Sequence, residues 1–234
     1  MNLTPAGVFT ATHFTSQLLI AVAYGTGGPL PSYRMTGGPS WIDGDRFDIL
    51  AKMPMPGGTV RDSFAMLRTL LADRFHLVVH HEDRDLPIFV LGMNASDKRF
   101  GPKLHASTRE CAAGAIPTGS TSDGAPLCAL RFGPGRILAG NQTIPALAQT
   151  LSRYLLRAVV DRTGLPGRYD MSLEWTPSPG EGLQTSADPN APHGPVDGPP
   201  LVTAIKEQLG MRLESTRGPV DVLVIDHIER PLSD

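Results

Sequence analysis

The sequence predicts an α+β protein of two duplicated β-α-β-β-α-β-β units, with helices packed on mainly antiparallel sheet. Three observations predict it. The octet RYDMSLEW at 168–175 rewrites RFDILAKM at 46–53, keeping the Arg, an aromatic, the Asp and the apolar positions that follow. GVFTATHFT (7–15) returns as GRILAGNQT (135–143), matching Gly7 with Gly135, Phe9 with Ile137, Ala11 with Ala139 and Thr15 with Thr143. Strand-like runs that alternate around short polar turns favour antiparallel pairing over a doubly wound parallel sheet.

The elements follow in order. Runs 7–15 and 135–143 read as strands, and each ends on a Thr placed to cap a helix. The first of those helices carries Leu18, Leu19, Val22 and Ala23, and the second Leu147, Leu151 and Leu155, an apolar residue at every turn. The octets 46–53 and 168–175 are the next strands. Residues 59–75 then read as a helix, with Thr59 three residues before Asp62 as in a capping box and Phe64, Leu67 and Leu71 on one face. Its counterpart, 200–210, opens on Pro200, aligns Leu201, Ala204, Ile205 and Leu209, and stops at Gly210. Strands are expected at 75–82 and 211–216, then a turn, then strands at 87–93 and 220–228. The repeats therefore occupy 1–96 and 135–234. Between them, 97–134 is a Gly- and Pro-rich connection holding Cys111 and Cys128, and the second repeat contains a loop at 176–199 whose composition predicts disorder. One unit alone has too little apolar surface to fold, whereas two can share a core.

Composition narrows the function classes. Apolar residues make up 41% of the chain, which suffices for a core and argues against wholesale disorder. A net charge of −2, with no basic run interleaved with aromatics, gives no footprint for nucleic acid. The apolar run at 18–25 is too short to span a bilayer, and no Lys or Arg precedes it as in a signal peptide. Cys111 and Cys128 do not have the spacing of zinc ligands. In an oxidising compartment they could close a loop for about 3 kcal/mol, and in a reducing one they would be two free thiols.

The candidates for chemistry are few. Asp48 and Asp170 recur at equivalent points, and paired acids in a cleft could perform acid–base or glycosidic chemistry. Each follows an Arg and an aromatic, however, and a duplicated fold repeats its structural ion pairs, so a structural role is the preferred reading. His76 and His80 would share one strand face about 13 Å apart, too far to ligate one metal ion. Asp226 and His227 point to opposite strand faces and make a poor dyad. Trp41 and Trp175 read as core-edge fillers rather than ligand platforms. The sequence contains no GxSxG, SxxK, HExxH or P-loop, and GGPS (37–40) lacks a phosphate-binding lysine, so no cofactor or metal is expected.

Four strings add a resemblance: GGPSWIDGDRFDILAKMP, MLRTLLADRFHLVVHHEDRDLPIFVL, VVDRTGLPGRYDMSLEW and LGMRLESTRGPVDVLVIDHIERP. Together they resemble an uncharacterised bacterial family defined only as a domain of unknown function, over nearly the whole chain. The resemblance implies a family present in many copies in soil bacteria, with some members fused to sensor peptidases of the beta-lactam-receptor type. It implies a signal peptide and a further short strand ahead of the segment matching PAGVFTATHFT. Against that pattern this chain looks truncated, and its localisation is periplasmic or secreted by resemblance and cytoplasmic by the alternative. At the level of fold alone, the repeat is similar to small βαβ domains of secretins and TonB-dependent receptors.

The expectation that follows is a non-catalytic extracytoplasmic module binding an envelope protein or polymer, by an exposed sheet edge such as 220–228. The alternative is a hydrolase of an envelope polymer using Asp48 and Asp170. A small-ligand binder is a third reading. Oligomeric state is not legible.

Overall fold

A computed structural model describes residues 2–3, 8–26, 28–52, 60–94, 99–111, 128–177 and 197–232. In chain order the first elements are β1 (Asn2–Leu3), β2 (Val8–Thr15), α1 (Ser16–Tyr24), β3 (Met35–Gly37), β4 (Arg46–Lys52), α2 (Val60–Phe75) and β5 (Val78–Met93). There follow β6 (Leu104–Ala106), β7 (Leu130–Gly133), β8 (Arg136–Gln142), α3 (Ile144–Leu155), β9 (Val159–Asp161), β10 (Tyr169–Glu174), α4 (Leu201–Ala204) and β11 (Met211–His227). A π-helical turn at Ile205–Leu209 continues α4, and Gly210, with φ of 71°, ends it as the sequence predicts. Helices with antiparallel sheets make this an α+β protein.

The chain divides into two compact units, one of residues 1–84 with 219–234 and the other of residues 85–218. In the first unit the strand order is β1-β2-β4, all antiparallel. Thr15 caps α1 by accepting the Leu18 N–H, which orients the helix to bury Leu19, Ile20 and Ala23 against Phe9 and Ala11 of β2. Leu67, Leu71 and Phe75 of α2 complete that core. Residues 35–37 of β3 run parallel to 223–225 of β11.

In the second unit the order is β6-β10-β8-β7, again antiparallel. Thr143 caps α3 on the Ala146 N–H, and Ile144, Leu147, Ala148 and Leu151 are buried. Trp175 is fully buried among them, its indole N–H donating to the Tyr154 hydroxyl at 3.0 Å. It is a core residue and not an edge filler. Residues 89–91 of β5 run parallel to β9.

Three expectations are corrected. The strands expected at 75–82 and 87–93 are one strand, β5, and those at 211–216 and 220–228 are one strand, β11, with no turn at 83–86 or 217–219. The polar residues there lie on solvated strand faces, where Arg217 reaches Asp85, while Gly218 is buried close to Ile88. Residues 220–228 are not an edge, because β11 lies between β3 and β5. The connection 97–134 contributes β6 and β7, strands too short to show a period. The capping role of Thr59 and nearly all of the 176–199 loop lie outside the described residues.

Candidate functional site

The repeated Arg-aromatic-Asp string builds the same local device in both units. In the first, β2 carries one extra residue against β4 between Ala11 and Phe14, Thr12 and His13 opposing Asp48, a bulge in which His13 takes φ of 60°. Asp48 accepts the His13 N–H at 2.7 Å, and Arg46 donates to the His13 carbonyl at 3.0 Å. In the second, Asn141 takes φ of 54° at the matching shift between β8 and β10, and Asp170 accepts its N–H at 2.8 Å. Arg168 donates to the Asn141 carbonyl at 3.0 Å. Each motif thus satisfies both polar groups that a bulge takes out of the ladder. The sequence did carry a signal for this. His13 and Asn141 align in the repeat, and both residue types are enriched in the left-handed region.

The two copies differ in what covers them. Asp170 is three-quarters buried, and a second oxygen accepts from Arg109 Nε at 2.8 Å. Burial pushes its carboxyl up, but Arg109, the Asn141 N–H and Ser107 together hold it below the usual carboxylate range. Asp48 is 69% exposed, with His13 Nδ1 at 3.7 Å and no Arg on its second oxygen among the described residues.

Around Asp170 lies a cleft of about 320 Å³ that includes Lys103, His105, Arg109, Arg136 and Glu174. Lys103, Arg109 and Arg136 all lie against its two carboxylates. Lys103 donates to Glu174 at 2.6 Å and Arg136 lies 3.1 Å from the same carboxylate. The Lys103 hydrogen bond, outweighing burial, depresses Glu174 as well. A general acid needs a raised carboxyl, and both acids here are lowered.

Beside β4 lies a groove of about 400 Å³, formed by Phe47, Asp48, Ile49 and Leu50 together with Leu70, Arg74 and Phe75 of α2 and with Pro231 and Leu232. Leu50 is 78% exposed and Leu232 91%. β4 ends its sheet, so among the described residues its outer backbone edge has no strand partner.

Four histidines of the first unit pair with carboxylates. His80 meets Asp226 and His81 meets Asp221, each at 2.8 Å, while Glu229 lies between His76 at 3.3 Å and His227 at 2.9 Å. His76 is not on the strand face expected for it; it precedes β5 with φ of 48°. Trp41 is half-buried, with Arg230 over its ring. Cys111 and Cys128 form a disulfide, Cα atoms 5.7 Å apart, joining the segment after β6 to the one before β7.

No helix among the described residues is long and apolar enough to cross a membrane. No curated protein and no solved structure matches the chain. Residues 17–228 match the family described as Protein of unknown function (DUF3738). On that match, which spans most of its length, the chain belongs to this family of unknown function.

Proposed function

We propose that the chain is a non-catalytic, extracytoplasmic binding module of the bacterial envelope, and that it engages a protein through the groove and open edge of β4. One observation carries the reading: among the described residues the edge strand presents unpaired backbone beside a largely apolar groove with an exposed leucine on its rim. Strand addition uses such an edge, with main-chain hydrogen bonds for affinity and the flanking groove for side-chain choice. The disulfide supports an oxidising compartment. The resemblance to members fused to sensor peptidases supports an envelope role. The hydrolase alternative is weaker, because Asp48 and Asp170 are each engaged in holding a bulge.

A photo-crosslinker at Leu50 tests this in envelope extract, with Val202, exposed in the other unit, as the control position. A stoichiometric protein adduct from position 50 alone is expected. Adducts of equal yield from both positions, or none from 50, would overturn the reading.

A further inference from the structure

The second unit shows what its equivalent edge takes. There β6 lies antiparallel on β10, with Ala106 opposite Tyr169, His105 opposite Asp170 and Leu104 opposite Met171. The Ser172 N–H donates to the Lys103 carbonyl at 3.1 Å, and the Ser107 N–H donates to the Arg168 carbonyl at 2.9 Å. The same segment leans on the end of the helix. The Lys103 N–H donates to the Gln208 carbonyl, and Gly101 passes so close that a Cβ there would sit 2.3 Å from that oxygen. Leu104 is 1% exposed, and five residues on, Arg109 closes on Asp170.

The first unit has the receiving half of this arrangement without an occupant among the described residues. The repeat sets Phe47, Asp48, Ile49 and Leu50 where Tyr169, Asp170, Met171 and Ser172 stand. Tyr169 and Met171 are 5% and 3% exposed under the added strand, whereas Phe47 and Ile49 are half-buried and form one wall of the groove, with α2 behind it. Asp48 offers the oxygen that in Asp170 takes a guanidinium. The β10 groups that hold β6 thus have counterparts on β4, with Asp48 exposed and Phe47 and Ile49 only half-buried.

We infer that the β4 groove takes an extended strand of a partner polypeptide, antiparallel to β4, with an aliphatic side chain opposite Ile49 and a basic one, about five residues on, bound to Asp48. This rests on the strand-addition reading above and gives it a chemistry. The partner's backbone accepts from the Leu50 N–H and donates to the Arg46 carbonyl, as β6 does at Ser172 and Arg168. Its aliphatic side chain fills the space between Ile49, Leu70 and Phe75. Its cation gives Asp48 the charge-assisted bond that Arg109 gives Asp170.

The probe is an N-acetylated, C-amidated peptide copying residues 101–110, GPKLHASTRE, titrated into the full-length oxidised protein. Resonances of residues 46–52 are followed together with hydrogen exchange at the Leu50 amide. Saturating peptide is expected to shift those resonances and slow Leu50 exchange about tenfold or more. A peptide carrying Leu104→Asp is expected not to bind, and one carrying Arg109→Gln to bind about tenfold more weakly. Because the substitutions are in the peptide, they leave the fold of the protein untouched. Equal binding of all three peptides, or an unperturbed β4, overturns the inference. So does a mass that doubles with concentration and protects Leu50 without peptide, since a second copy then fills the groove. If β4 ignores the peptide while position 50 still crosslinks a partner, the docking reading stands and the strand chemistry falls.

Discussion

Asp170 and Asp48 perform one task under two degrees of solvent exposure, which separates them energetically. Asp170 keeps a depressed carboxyl in the fold, so it contributes stability that is fully present above the ordinary carboxylate range and is lost as pH falls through the folded value. Replacing it with Ala at neutral pH should cost about 1–3 kcal/mol, the range for a hydrogen-bonded charge with buried partners. The same change at Asp48, largely solvated, should cost under about 1 kcal/mol. Urea unfolding of both variants at pH 7 and below about pH 4 checks this. The Asp170→Ala deficit should shrink in acid, and equal deficits at pH 7 would refute the account. The recurrence of the Asp was legible in the sequence. That it caps a bulge was not, because a bulge is a property of two paired strands and only one is visible in a linear motif.

At the scale of elements, the two capped helices were readable from local chemistry. Thr15 ends β2, Thr143 directly follows β8, and each accepts an N–H three residues on, as the sequence predicts. Thr143→Ala should therefore lower stability by about 1 kcal/mol, and Thr143→Ser should restore most of it, both measured by thermal unfolding. Leu151, fully buried on the inner face of α3, should cost about 2–5 kcal/mol as Ala. If Leu151→Ala proved no worse than the cap variant, α3 would not be packed as described. Elements without a local signal were misplaced. The stretches EDRDLP and STRGPV have turn composition, yet each lies within a long strand, β5 or β11, whose partner strand supplies its hydrogen bonds. Strands β3, β6 and β9 have three residues each, fewer than any periodicity test can use.

At the scale of the whole molecule, the first compact unit is assembled from chain segments far apart in sequence, 1–84 taking its last strand residues from 219–234, whereas the second is the continuous stretch 85–218. The disulfide acts on the second unit, where it ties the outer strand β6 to the outer strand β7 through a 17-residue separation. Reduction, or the Cys111→Ser and Cys128→Ser pair, should lower stability by about 3 kcal/mol. Guanidinium unfolding with and without reductant measures it. Hydrogen exchange should localise the loosening to β6, β7 and the Asp170 bulge they cover, and uniform loosening of both units would contradict that placement.

The sequence by itself determined the α+β class, the repeated strings that place Asp48 and Asp170 at equivalent points, and the helix caps. These depend on interactions a few residues long, or on a pattern written twice. The tertiary structure alone decided which strands pair and which edge stays open. It decided that 220–228 lies inside a sheet, and that β6 covers β10 while β4 goes uncovered among the described residues. Those outcomes depend on hydrogen bonds and buried contacts between residues tens to hundreds of positions apart, and no local preference encodes them.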